Sequence, residues 1–337
     1  TEAVEHLLEA KLQEEALSLI EQFALDIVEQ GQAALLINLV RKLPQGHIAT
    51  CEKILIPLAW ALLMSYRDNE LQALLDQTDN LIEHIDVSTL ANLKHLNLSD
   101  NNLNLIDVTN NDDLVSLDLS NYTYFDALED CFSEESETCI ETTAPINKLT
   151  QINLSNNLSL TTLRINRYAS EYFDAYGYGI DSLDLSLNTL LTTLEFSSDR
   201  ISDIDLSTTA SLTTLKLDTP FIDSIDLSMN IALTSLELFA YNITSIDLSA
   251  NTALTSLDLY LDSITSLDLN SNTDLTSLDI ASRLASLDLS NNIELSRLNV
   301  YSYTSYYLTS IDLSNNPLLT DLNLSDTSLT SIDLSNN

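Results

Sequence analysis

The chain has 337 residues and carries 13 Lys and Arg against 51 Asp and Glu, a formal net charge of −38. It lacks the basic footprint that nucleic acid requires, and anionic membrane surfaces repel it. Apolar residues still make up 45% of the chain, enough for a large core, while no apolar run reaches the roughly 18 residues of a membrane-spanning helix.

Composition divides the chain near residue 81, from Ala, Glu, Gln and Leu to Leu, Ser, Thr, Asp and Asn. Residues 1–86 hold 15 acidic and 5 basic residues, and residues 87–337 hold 36 and 8. Two domains are therefore expected, 1–80 and 81–337. The first residue is Thr1, with no methionine and no signal peptide, which reads as a fragment or a processed form.

Residues 2–79 read as helices. Leu7, Leu8, Leu12, Ala16, Leu17 and Ile20 recur at helical spacing. A second run spans Ala33 to Val40 and stops before Leu43-Pro44. A third, from Ala49 to Tyr66, contains Pro57, where a break or kink is expected. A fourth covers Asn69 to Gln77. Short connections between such helices favour stacked antiparallel hairpins, an α-solenoid-like module.

The phrases Ala3-Val-Glu-His-Leu-Leu-Glu-Ala, Ala16-Leu-Ser-Leu-Ile-Glu-Gln and Leu58-Ala-Trp-Ala-Leu-Leu resemble the helical-repeat region of MalT-like, LuxR-type transcriptional regulators. Gly31, Leu43-Pro44 and Ala73-Leu-Leu continue the likeness. The resemblance implies a helical scaffold. It does not imply ATP hydrolysis or DNA binding by this chain, which has no GxxxxGK[ST] phrase and no basic recognition helix.

From about residue 81 the chain is periodic. Ile225-Asp-Leu-Ser, Ile246-Asp-Leu-Ser and Leu267-Asp-Leu-Asn stand 21 residues apart, and Leu287 follows after a one-residue deletion. Between them runs a second phrase, Leu233-Thr-Ser-Leu-Glu-Leu and Leu254-Thr-Ser-Leu-Asp-Leu. This nested period resembles a bacterial class of leucine-rich repeat. Each Leu-x-Leu puts two leucines on one face of a short strand, and stacked repeats enclose them in a continuous core. The fold class expected is an α+β solenoid: a leucine-rich-repeat coil with parallel strands on two sides, preceded by the short helical module.

The two sides of the coil differ. One is nearly constant, with Asp107, Asp184, Asp205, Asp226, Asp247, Asp268, Asp288, Asp312 and Asp333 in register. Its Asn188, Asn230, Asn251, Asn272, Asn292 and Asn316 are expected to turn inward and satisfy backbone groups. The other side varies at its outward positions. These run through Asn97, Asp118, Arg164, Glu195, Lys216, Glu237, Asp258, Asp279, Asn299 and Asn323 in one column. The next column runs through Ser99, Ser120, Asn166, Ser197, Asp218, Phe239, Tyr260, Ala281, Tyr301 and Ser325. By analogy with the repeat family this is the concave sheet.

Insertions break the period at 122–147, at 167–179 and, briefly, at 301–307. The candidate binding residues are tyrosine-rich: Tyr168, Tyr172, Phe173, Tyr176 and Tyr178 in one insertion, Tyr303 in another, and Phe239, Tyr260 and Tyr301 on the variable face. Tyrosine offers contact area at small rotamer cost, which suits recognition, though loop aromatics also serve as local packing. Arg164 and Arg167 would either anchor a partner carboxylate or pair with acidic neighbours. Cys131 and Cys139 would form a disulfide in an oxidising compartment and stay free thiols otherwise.

The aspartate ladder offers one carboxylate per repeat, too few at one point for Ca²⁺, so no metal is expected. No cofactor is implied. None of His6, His47, His84 and His95 stands in a catalytic phrase, so the chain reads as a non-enzyme. The leading function is a recognition scaffold that binds a protein or other ligand through the variable face and tyrosine loops. One alternative is an effector-binding fragment of a MalT-like regulator, which would be cytoplasmic. Another is a cell-surface adhesin or spacer, which would need a secretion signal upstream. The chain ends at Asn337 inside a repeat phrase, so either more chain follows or another copy or partner covers the end, allowing self-association there.

Overall fold

The computed structural model describes residues 19–20, 23–24, 27–28, 32–40, 57–58, 61–62, 82–121, 147–166, 179–301 and 308–334. The chain divides into two units. One comprises Thr1–Ile85, Asp100–Leu103 and Ile140–Asn147; the other comprises Asp86–Ser99, Asn104–Cys139 and Lys148–Asn337.

In the first unit one helix, α1, spans Ala33–Val40, where the second apolar run predicts it. The Gln32 carbonyl accepts from the Leu35 and Leu36 amides and starts the first turn. Ala33, Leu36, Ile37, Leu39 and Val40 are buried. Ile20, Ala24 and Val28 are also helical and buried, and their four-residue spacing puts them on one face. Pro57, Leu58, Ala61 and Leu62 are helical and buried as well. The stacked helical hairpins expected over 1–80 lie largely outside the described residues. So do Cys131, Cys139, most of the insertions at 122–147 and 167–179, and residues 302–307.

The second unit is a coil of parallel strands. In chain order they are β1 (His95–Asn97), β2 (Ser116–Asp118), β3 (Thr162–Ile165), β4 (Thr193–Ser197), β5 (Thr214–Asp218), β6 (Ser235–Ala240), β7 (Ser256–Leu261), β8 (Ser277–Ser282), β9 (Ser286–Asp288), β10 (Arg297–Tyr301), β11 (Ser310–Asp312) and β12 (Asp321–Asn323). Ten of them form one sheet in the order β1-β2-β3-β4-β5-β6-β7-β8-β10-β12. The insertions are absorbed between rungs without loss of register: Leu117 pairs with Leu163, Leu163 with Leu194, and Leu236, Leu257 and Leu278 are successive neighbours. These leucines are buried to 1% exposure or less. Each contributes on the order of 1.5–3 kcal/mol by leaving water.

Strand pairing on two sides, expected from two Leu-x-Leu phrases per repeat, needs correction. Among the described residues the constant side pairs only at β9 and β11. In Asp107, Asp184, Asp205, Asp226, Asp247, Asp268, Asp288 and Asp312 the carboxylate accepts the amide two residues on, at 2.9–3.0 Å. Asp288 and Asp312 make this bend on the two strands that do pair, so the bend does not by itself exclude a ladder. The exception follows the one-residue deletion, where the Thr309 amide and hydroxyl both donate to the Ala285 carbonyl at 3.0 and 3.2 Å.

Two polar ladders hold the coils together. Asn111, Asn157, Asn188, Asn230, Asn251, Asn272, Asn292 and Asn316 turn inward and are buried. The Nδ2 of each donates to two backbone carbonyls of the preceding coil at 2.8–3.2 Å. The inward turn of Asn188, Asn230, Asn251, Asn272, Asn292 and Asn316 is the one expected from the sequence, and Asn111 and Asn157 extend it. The second ladder was not foreseen. Thr161, Thr192, Thr213, Thr234, Thr255, Thr276, Ser296 and Thr320 each donate a hydroxyl to the carbonyl of the preceding member at 3.0–3.2 Å, or to Val115 at the first step. In each case the backbone amide donates to the same carbonyl. On the last described rung the burial fades: Leu322 and Leu324 are half-buried, and Ile332 and Leu334 are exposed.

Gly179 returns the chain from the second insertion with φ +111°, in the left-handed region. A Cβ there would lie 2.6 Å from Ser198 Oγ and 2.9 Å from Ser198 Cα. Ser198 Oγ itself donates to the Ile180 carbonyl at 2.9 Å.

Two substitutions test these joints by chemical denaturation. Asn251→Ala strips the Leu227 and Asn230 carbonyls of their side-chain donor and should lower stability by about 2–4 kcal/mol. Gly179→Ala forces both a strained φ and a backbone clash and should cost about 1–3 kcal/mol.

Candidate interaction surface

The ten-stranded sheet presents every second side chain on its outer face, where β3 to β7 alternate half-buried and buried residues. Register aligns the half-buried positions into columns. One column reads Arg164, Glu195, Lys216, Glu237, Asp258, Asp279 and Asn299 on β3 to β8 and β10. The next reads Ser197, Asp218, Phe239, Tyr260, Ala281 and Tyr301 on β4 to β8 and β10. Column neighbours sit on adjacent strands, about 4.8 Å apart. A like charge there is destabilising and an opposite charge helps.

The first column begins with alternating sign. Arg164 Nε donates to Glu195 Oε1 at 2.8 Å, and Lys216 Nζ lies 2.5 Å from Glu237 Oε1. These half-exposed pairs contribute about 0–1 kcal/mol each. The alternation then stops. Asp258 and Asp279 stand side by side on β7 and β8, with Glu237 beside Asp258 on β6. Asn299 Nδ2 donates to Asp279 Oδ2 at 2.8 Å. The Oδ1 atoms of Asp258 and Asp279 are both buried and accept no hydrogen bond. Desolvation pushes the Asp258 carboxyl up to about 7, with Asp279 and then Glu237 adding to the rise and Lys216 and Arg297 opposing it.

Aromatic rings occupy the adjoining column. Phe239 and Tyr260 lie 6.2 Å apart between centroids with planes at 40°, and Phe239 meets the exposed Tyr241 edge-on at 5.0 Å. Tyr260 and Tyr301 meet edge-on at 6.2 Å although β8 runs between their strands. Ala281 is the residue between them in the column, and it is 4% exposed. A side chain as small as alanine leaves room for the two rings to lean together over it.

The structure thus brings Phe239, Tyr260 and Tyr301 together. Arg164 is engaged by Glu195, on a different stretch of the face. Arg167, Tyr168, Tyr172, Phe173, Tyr176, Tyr178 and Tyr303 lie outside the described residues. Not every position expected to face outward does so: Asp118, Ser120, Asn166 and Ala281 are buried. Asp118 Oδ1 accepts the Ser120 amide at 3.0 Å, and Ser120 Oγ accepts the amide of Asn166 from the next coil at 3.1 Å, so the Asp118 and Ser120 side chains are spent on backbone. Tyr241 and the Asp258–Asp279 adjacency were the features that sequence reading did not single out. The signal for the latter is three acidic residues, Glu237, Asp258 and Asp279, in consecutive repeats where the column had alternated.

On the constant face, hydrogen bonds from the serine or threonine two residues on hold Asp107, Asp184, Asp205, Asp226, Asp247, Asp288 and Asp312 below the usual carboxylate range. Among the described residues no group of three or more His, Cys, Asp or Glu is arranged to hold a metal ion. No described helix is long and apolar enough to cross a membrane.

Neither a protein-family model nor a curated protein sequence matches the chain. Solved structures do match it. The functional domain of InlJ from Listeria monocytogenes, described as including a cysteine ladder, matches with a TM-score of 0.51 and 26% identity over 76% of this chain. The match spans 56% of that domain's length. A leucine-rich-repeat protein of Leptospira interrogans matches with a TM-score of 0.53 and 15% identity, over 77% of this chain and 70% of that one. With the parallel coil above, these likenesses establish the fold as a leucine-rich-repeat β-solenoid of the kind found in bacterial proteins.

The carboxylate pair gives stability an unusual pH dependence. Unfolded, Asp258 ionises near its ordinary value of 3.8; folded, it does so near 7. Between these values the folded chain holds a proton that the unfolded chain has released. The contribution of Asp258 is therefore fully present below about 4 and lost as pH rises through 7. Asp258→Asn escapes that loss, so its gain in melting temperature over the wild type should be larger at pH 8 than at pH 5.

Proposed function

We propose that the chain is a non-catalytic recognition scaffold that binds a protein partner through the outer face of its ten-stranded sheet, together with the tyrosine-rich insertions. The observation that carries this reading is the contrast between the two sides of one coil. Among the described residues the constant side repeats the same bend from turn to turn, made by an aspartate or, at Asn153, an asparagine, work that backbone satisfaction explains. The sheet face varies, and Phe239, Tyr260 and Tyr301 gather there at half-buried positions. Tyrosine-rich, partly exposed clusters supply rigid contact area and are enriched where proteins meet. The first 80 residues are read as a separate helical module.

The test compares variants of the full chain as immobilised bait, with bound protein quantified by mass spectrometry. Phe239→Ala with Tyr260→Ala should reduce retention of a saturable partner by about tenfold, the loss of one or two interface anchors. Asp226→Asn with Asp247→Asn, on the constant side, should change it by less than about twofold. Both pairs should melt within a few degrees of the wild type. If the ring variants unfold more readily and retention is unchanged, the rings are packing residues and the reading is wrong.

A further inference from the structure

We propose that the sheet face between β6 and β10 is a docking strip for a basic side chain, arginine or lysine, of a protein partner, held by Asp258 and Asp279 against the rings of Phe239, Tyr260 and Tyr301. The proposal rests on the reading of this face as the interaction surface and names what the partner must present there.

Charge complementarity identifies the occupant. Along the column, Arg164 and Lys216 answer Glu195 and Glu237, yet Asp258 and Asp279 follow each other with no cation between them in the register. One oxygen of each carboxylate is buried and accepts no hydrogen bond. A buried, unsatisfied carboxylate oxygen is costly, and a cation seated beside the half-buried pair offsets that cost through its charge. The Asn299 amide serves Asp279 Oδ2 only.

The rings choose among cations. Residues i and i+2 of a strand share a face about 6.6 Å apart, so Tyr260 stands one step from Asp258 on the same strand. A cation seated between the columns would hydrogen-bond a carboxylate and still lie within the roughly 6 Å of a ring at which cation–π attraction acts. A guanidinium or an ammonium meets both demands. A hard divalent ion wants six or more oxygens, and no group of three or more ligating side chains is arranged for one among the described residues. The Tyr260–Tyr301 contact over Ala281 closes the strip on its far side. Partner binding would also favour the ionised form of Asp258, so affinity should fall as pH drops below about 7, with Asp279, Glu237, Lys216 and Arg297 as the other charges in play.

An octa-arginine peptide is the probe, titrated into the full chain by calorimetry at pH 8. Because the whole chain is acidic, the comparison is between variants of equal charge change. Asp258→Asn with Asp279→Asn should weaken binding by about tenfold. Asp226→Asn with Asp247→Asn should weaken it by less than about twofold. Phe239→Ala with Tyr260→Ala, which leaves every charge in place, should weaken it severalfold. Circular dichroism melts check that all three pairs stay folded. Equal losses in the two aspartate pairs would mean general attraction to an acidic chain and would overturn the proposal, as would full binding by the ring pair. Those outcomes leave the bait experiment untouched: retention of a natural partner lost in Phe239→Ala with Tyr260→Ala keeps the face as the interaction surface, and retention unchanged removes it.

Discussion

In a parallel, in-register coil each side chain has its own counterpart as nearest neighbour, about 4.8 Å away on the next strand. That one constraint sorts the residues of this protein. Leucines gain from it, since Leu236, Leu257 and Leu278 stack and exclude water together. Asparagines gain, because each Nδ2 reaches two carbonyls of the coil before it. Threonines at the strand starts gain in the same way through their hydroxyls. Charges lose unless their sign alternates. Each identical rung therefore repeats the benefits and compounds the penalties.

The constant side avoids the penalty by turning its aspartates to solvent and onto their own backbone. Each such carboxylate accepts the amide two residues on, and the coil bend is built from that bond. The sheet face avoids it first by alternation, through Arg164–Glu195 and Lys216–Glu237. At Asp258 and Asp279 neither device operates. The pair sits beside a ring cluster, partly desolvated, with buried oxygens that accept nothing. Folding gains nothing from this arrangement. What sets the pair apart from the inward asparagines, whose Oδ1 atoms also accept nothing, is two like charges on adjacent strands of the sheet face, and such a conflict is where function is to be sought.

The size of the effects supports the same division of labour. Each buried leucine is worth on the order of 1.5–3 kcal/mol, whereas an exposed ion pair is worth about 0–1 kcal/mol. Substituting face residues therefore leaves the coil standing, and the face is free to be specialised. The asparagine and threonine ladders carry no such freedom, because each member serves groups on a neighbouring coil.

Much of this was legible in the sequence. The 21-residue step gave the coil, and the repeated Asn at a fixed offset gave its inward ladder, since a polar residue at an enclosed position must meet backbone. The columns of outward residues followed from period-two alternation. What pattern did not give was how those columns interact. The rings of Tyr260 and Tyr301 meet across a strand only because Ala281 is small, and Asp118 and Ser120 are buried where their side chains accept backbone amides. The shortage of pairing on the constant side escaped too, because a Leu-x-Leu phrase says that two leucines face inward but not that the backbone pairs. Sequence by itself determined which residues repeat, and so which are enclosed. Tertiary structure alone decided which outward residues become neighbours, because that depends on register, side-chain size and the desolvation that only the assembled sheet creates.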